Sequence, residues 1–105
     1  MMQNWTPQQL IQALNATTSL QLLDVRESWE YDIAHIENST LIPLGQIMGR
    51  LDELDTSQTY VVICHHGVRS MHACYLLERA GFEVINLMGG IDLWAKTVDP
   101  SMPLY

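Results

Sequence analysis

A single thiol, Cys64, ends the apolar run Tyr60-Val61-Val62-Ile63 and opens the stretch His65-His66-Gly67-Val68-Arg69-Ser70. A β-favouring run, a polar turn holding one glycine and then a helical pattern predict a buried strand, a tight loop and a helix N-terminus. Such a junction aims the backbone N–H groups of residues 65–69 at whatever sits in the loop, and the helix dipole adds positive potential there. Gly67 bends the chain inward, Arg69 brings a guanidinium, and Ser70 adds a hydroxyl donor at the helix start. Together they form an anion nest centred on sulfur, an environment that favours thiolate. The chemistry this suits is nucleophilic attack by Cys64. Exchange between a thiolate and a sulfane sulfur runs by direct displacement and needs no acid–base partner.

A second charged group follows another apolar run. Leu20-Gln21-Leu22-Leu23-Asp24-Val25 reads as a strand and leads into Arg26 and Glu27. Charges placed directly after a buried strand lie at the carboxyl edge of a sheet, where open α/β sheets keep their sites. The simplest role for Arg26 and Glu27 is a structural ion pair. Cys64, His65, His66 and His72 have no zinc-like spacing, and adjacent histidines on a tight loop are expected to point apart, so no metal is assigned. Cys74 faces the sheet by periodicity and reads as core.

The positioning elements can be read in order. Thr6 caps a helix with Pro7 at its first position and Gln9 completing a capping box, running to about Asn15 with Leu10, Ile11 and Leu14 on its apolar face. After the strand at 20–25, Ser28 is expected to cap a short helix over 29–34, with Glu30 and Asp32 on its polar side. Thr40-Leu41-Ile42-Pro43 is a brief strand stopped by proline. Residues 45–54 show helical spacing, with Asp52, Glu53 and Asp55 facing water. A helix over 69–80 carries Ser70, Ala73, Cys74 and Leu77 on one stripe, and Gly81 ends it in a left-handed cap closed by Phe82. Glu83-Val84-Ile85-Asn86-Leu87 is the next strand, and Gly89-Gly90 turns sharply into a last helical segment. Two prolines keep the tail extended.

Strands alternate with helices, which predicts an α/β fold with a parallel sheet covered on both faces. Right-handed crossovers then collect the strand-to-helix loops on one edge, with Cys64. The 105 residues are expected to form one domain. At 48% hydrophobic and 16% charged, the chain has the means to bury a core. A formal charge of −7 with five lysines and arginines argues against nucleic acid or an anionic membrane as partner. No leader pattern and no apolar run of membrane-spanning length is seen, so a cytoplasmic location with free thiols is expected.

The motifs, taken together, resemble one family. Cys64-His65-His66-Gly67-Val68-Arg69-Ser70 is similar to the active loop of the rhodanese (sulfurtransferase) family, C-x-x-G-x-R-S. Asp24-Val25-Arg26-Glu27 with Trp29-Glu30-Tyr31 resembles its D-V-R-E-x-x-E-[YF] segment. His35-Ile36 followed by Ile42-Pro43-Leu44 resembles its G-H-I…I-P-L. Gly81-Phe82 and Leu87-Met88-Gly89-Gly90-Ile91-Asp92-Leu93-Trp94 resemble its closing G-[FY]…L-x-G-G-x-x-x-W. The resemblance implies a rhodanese-like fold, a five-stranded parallel sheet sandwiched between helices. It also implies a ping-pong sulfur transfer without cofactor. Cys64 takes a sulfane sulfur from a small donor such as thiosulfate, or from a persulfide. It then passes that sulfur to a thiol acceptor such as thioredoxin, glutathione or a sulfur-acceptor protein. His65, His66, Gly67, Val68 and Arg69 map onto the loop that cradles the sulfur, and Asp24 and Arg26 map onto residues read as supports for it.

Departures from the pattern bear on substrate. Ala34 stands where the family usually has glycine, and Asn38-Ser39-Thr40 replaces a G-A-x-N run. His65 stands where many relatives carry arginine, which leaves Arg69 as the loop's fixed cation and lowers the expected affinity for thiosulfate. Related cysteine phosphatases and arsenate reductases use C-x-x-x-x-x-R. Here the spacing is C-x-x-x-x-R, one residue shorter, and the smaller nest suits a single sulfur. Other rhodanese-type domains lack the cysteine and act only as binding or regulatory modules; this chain keeps it.

Overall fold

A computed structural model of the chain describes residues 2–16 and 19–105; Met1, at the head of the stretch read for a leader, lies outside them. The elements run β1 (Gln3–Trp5), α1 (Pro7–Asn15), β2 (Leu20–Asp24), α2 (Ser28–Ile33), β3 (Thr40–Leu41), β4 (Thr59–Ile63), α3 (Val68–Arg79), β5 (Glu83–Leu87) and α4 (Gly90–Thr97). The strands form one five-stranded sheet in the order β1-β5-β4-β2-β3, and every pairing is parallel. Parallel neighbours need crossovers, which is why helices separate the longer strands.

β4 lies at the centre, paired with β2 on one side and β5 on the other. Its side chains alternate between two cores, as a strand's two-residue period requires. Tyr60, Val62 and Cys64 join Ala73, Cys74 and Leu77 of α3 on one face. Val61 and Ile63 join Leu10 of α1 and Ile91 and Trp94 of α4 on the other. With both faces covered, β4 is apolar throughout its interior. Among the described residues, no helix is long and apolar enough to cross a membrane.

The Thr6 cap forms as expected. Gln9 N–H donates to Thr6 Oγ1 at 3.2 Å, and Thr6 N–H donates to Gln9 Oε1 at 2.8 Å. Gly81 is left-handed at φ 96°, and Phe82 N–H reaches Leu77 C=O at 3.0 Å.

Four local expectations change. The tail, read as extended, turns at its first proline, where Met102 N–H donates to Asp99 C=O at 3.0 Å. The fifth strand is β1, which residue patterning passes over because Gln3 and Asn4 are polar and exposed. It is an edge strand held by its ladder with β5, in register Gln3–Ile85, Asn4–Asn86 and Trp5–Leu87. Residues 45–54 do not make an α-helix but two 3-10 segments, Leu44–Gly49 and Leu51–Glu53. Gly45 and Gly49 weaken α-helical propensity there, and Met48 turns out to solvent. The cap of α2 is Glu27 rather than Ser28, and Glu30 is buried at 3% exposure, not on a polar face.

Candidate active site

Cys64 follows β4 directly, at the carboxyl edge of the central strand. Its Sγ accepts the Gly67 N–H at 3.0 Å and lies 3.3 Å from Ser70 Oγ. The residue is 1% exposed, so the loop encloses the sulfur. The loop's shape depends on two left-handed glycines. Gly67, at φ 98°, ends the turn and starts α3, and a Cβ there would lie 3.2 Å from Gly89 N. Gly90, at φ 60°, lies so close beneath the loop that a Cβ would meet the carbonyl oxygens of both Cys64 and His65 at 2.5 Å. Those carbonyls accept the first N–H groups of α4, from Ile91 at 2.9 Å and Asp92 at 3.1 Å. The loop is therefore clamped between the N-termini of α3 and α4, and it caps the second with its own backbone.

Arg69 does not turn a free cation toward the sulfur. Its Nη1 and Nη2 bind Glu30 Oε1 and Oε2 at 2.7 and 2.8 Å, a two-pronged pair. Arg69 holds the Glu30 carboxyl down at about 2, against burial, which acts the other way. Glu30 in turn raises Arg69. Glu30 Oε2 also accepts the Tyr105 hydroxyl at 2.8 Å, and the Tyr105 hydroxyl oxygen in turn accepts Arg26 Nη1 at 2.9 Å. Burial pushes the Tyr105 phenol up to about 12. Arg26 is fully buried and paired with Asp24, Nη2 to Oδ2 at 2.8 Å. It also donates to the carbonyls of Glu30 and Ala34, fastening the end of α2 to β2. The expected Arg26–Glu27 pair is thus replaced by Arg26–Asp24; Glu27 is exposed, and its N–H donates to Glu30 Oε1. Arg26, paired with Asp24, connects to Arg69 of the loop through Glu30 and Tyr105.

His65 and His66 stack rather than point apart, with ring centroids 3.9 Å from one another. Tyr105 covers the other face of His65, also at 3.9 Å and nearly parallel. Burial and the neighbouring His66 hold His65 below the usual imidazole range. Ligand atoms of His65, His66 and Asp92 lie within 4.8 Å of one another. Stacked rings direct their in-plane lone pairs side by side, however, and one ring would have to turn before both met a single ion. His72 is exposed and outside this group. Val68 is 77% exposed and forms an apolar rim with Met71 and Met88. Cys74 is buried in the apolar core, which pushes its thiol up to about 12.

Ser70 is buried, and its hydroxyl donates to Asn86 Oδ1 on β5. With that proton committed, Ser70 presents a lone pair to Cys64 and accepts the Sγ–H, the reverse of the expected donor role. Four further residues belong to the site's surroundings: Glu30, Asn86, Tyr105 and Gly90. Glu30 stands within the D-V-R-E-x-x-E-Y segment, but helix periodicity assigns it to solvent. Asn86 carries a legible signal, an amide amid the apolar residues of a buried strand. Nothing local marks Tyr105.

The family model described as rhodanese-like domain matches residues 6–97. Over 103 residues the chain is 40% identical to the "Probable adenylyltransferase/sulfurtransferase MoeZ" of Mycobacterium tuberculosis, covering 95% of this chain but 26% of MoeZ. Over 91 residues it is 35% identical to the "Putative sulfurtransferase YtwF" of Bacillus subtilis, covering 87% of this chain and 88% of that protein. The crystal structure of a rhodanese-like domain protein from Staphylococcus aureus superposes with a TM-score of 0.87 at 29% identity, covering 99% of both chains.

Proposed function

The chain belongs to the rhodanese-like domain family, and on that premise we propose that it is a sulfurtransferase that carries sulfur as a persulfide on Cys64. The Cys64 thiolate attacks the outer sulfur of a sulfane donor. A new S–S bond forms to Cys64, the donor's own S–S bond breaks, and its remainder leaves with the bonding pair, as sulfite if the donor is thiosulfate. An acceptor thiolate then attacks the outer sulfur and releases Cys64 as thiolate, a ping-pong cycle. Gly67 N–H holds the sulfur while it bears charge; residues 65–69 form the enclosing loop.

The observation that carries this reading is the enclosure of Sγ by a loop only six residues long, Cys64 through Arg69, whose Gly67 N–H points at the sulfur at 3.0 Å. A longer loop would make room for a tetrahedral oxyanion. The charges around the site, Asp24 with Arg26 and Glu30 with Arg69, pair off. A dianionic donor such as thiosulfate therefore meets little net attraction, and the less charged persulfide of a thiol or protein is the better-matched donor. The acceptor, in the same reading, is a small thiol or a sulfur-acceptor protein.

Intact-mass spectrometry after incubation with thiosulfate, and separately with glutathione persulfide, tests this. The expected result is a gain of about 32 Da, removed by excess thiol and absent in Cys64→Ala. No adduct from either donor would overturn it in favour of a binding module.

A further inference from the structure

Among the described residues, both groups that hydrogen-bond the Cys64 sulfur, Gly67 N–H and the Ser70 hydroxyl, belong to residues held by one side chain, that of Asn86. Asn86 is 2% exposed and lies on β5, paired with Val62 of β4. Its Oδ1 accepts the Ser70 hydroxyl, and its Nδ2 donates to Gly67 C=O at 3.4 Å and to Asn4 Oδ1 at 3.1 Å. A backbone carbonyl only accepts, so Gly67 fixes which end of the amide carries nitrogen. The oxygen must then face Ser70, and Ser70 must donate to it. Its one proton is used there, and what it offers Cys64 is a lone pair.

We propose that Asn86 is a positioning residue for the reactive thiol. It sets the Ser70 hydroxyl as an acceptor of Sγ–H and steadies the Gly67 peptide, whose N–H faces the sulfur. This rests on the reading of Cys64 as the reactive thiol. Donation to the thiolate then comes from Gly67 N–H alone of these two contacts. Ser70 can turn its proton to a thiolate only by leaving the buried Asn86 oxygen without a partner, which is costly. Asn4, on the edge strand β1, anchors the far end of the amide, which gives this short strand a link to the sulfur. Arg69 and Cys74, both on α3, couple by charge to Cys64, His65 and His66 adjoin it in the loop, and none of the four is part of this chain of hydrogen bonds.

The test is a double-mutant cycle read by ionisation rather than by turnover. Thiolate absorbance in the ultraviolet is followed against pH in wild type, Asn86→Leu, Ser70→Ala and the double variant, each first shown to be folded by circular dichroism. Leucine removes the oxygen that captures the Ser70 proton and keeps the branched heavy-atom shape of the side chain. Its added apolar character acts equally with or without Ser70, so the cycle subtracts it. The expected result is a titration midpoint at least about half a unit lower for Asn86→Leu relative to its effect in the Ser70→Ala background. Equal effects in both backgrounds, or a coupling of opposite sign, would overturn the proposal. If Asn86→Leu does not fold, Asn86→Ala, which also lacks the oxygen, gives the same sign in the same cycle. The readout needs no sulfur donor, so a failed cycle and an absent persulfide are separate outcomes.

Discussion

Glu30 and Arg69 stand 39 residues apart in the chain and meet through two parallel hydrogen bonds of 2.7 and 2.8 Å. The pair ties α2 to the first turn of α3, and so holds the outer wall of the Cys64 loop. It also fixes the guanidinium in place at the cost of its free charge. Glu30 is buried while the Arg69 side chain is 36% exposed, so the pair is a partly screened anchor.

Replacing Glu30 by Gln leaves Arg69 and Tyr105 with a weaker acceptor. The expected loss of stability is about 2 kcal/mol, below the figure for a fully buried pair because Arg69 reaches solvent. Urea denaturation measures it. Persulfide loading should slow by roughly tenfold as the loop loosens. Arg69→Lys, which cannot make the two-pronged contact, should fall between. Unchanged loading in both variants would show that the pair is structural only.

Acid should remove the same anchor. The Glu30 carboxyl sits at about 2 in the folded protein against an ordinary 4.5. A lowered carboxyl contributes stability above its unfolded value and loses it as pH falls toward its folded value. The contribution is therefore complete above about pH 5 and gone near pH 2, a loss on the order of 2 kcal/mol after screening. Thermal unfolding of wild type and Glu30→Gln across that range should converge at the acid end. Parallel curves would contradict the assignment.

Gly90→Ala should damage the loop from beneath. Its φ of 60° disfavours an L side chain, and the added Cβ would meet the Cys64 and His65 carbonyls at 2.5 Å. The expected cost is about 3 kcal/mol, read as a lower melting temperature. Gly45→Ala, with nothing within 4 Å, is the control and should be close to neutral.

The two thiols should separate under alkylation. Both are buried, but Cys64 lies in a loop with a polar N–H donor, whereas apolar burial holds Cys74 up at about 12. Iodoacetamide at neutral pH should modify Cys64 first, by more than tenfold in rate, as peptide mapping would show. Equal slow rates would remove the case for an activated thiol.

Much of this molecule is legible in local sequence. The alternation of apolar runs with helical spacing predicts a parallel α/β sheet, because a strand's two-residue period and a helix's longer one are written in neighbouring residues. Thr6-Pro7-Gln8-Gln9 announces its own capping box, and the left-handed cap at Gly81 forms as read. Cys64 is identifiable as the candidate nucleophile from its position between a strand and a helix, and the count from Cys64 to Arg69 sets the size of the loop. These are properties of contiguous chain.

What the tertiary structure decided is which distant partner each charged or polar group finds. Helix periodicity sends Glu30 to solvent; Arg69, Tyr105 and the α2–β2 junction bury it. Adjacency suggests an Arg26–Glu27 pair; the turn after β2 returns Arg26 to Asp24 instead. Ser70 reads as a donor until Asn86, on another strand, takes its proton. β1 has too few apolar residues to declare itself and exists through the ladder that β5 provides. Each of these depends on which groups are within about 3 Å once water is excluded, a condition set by packing between segments far apart in the chain.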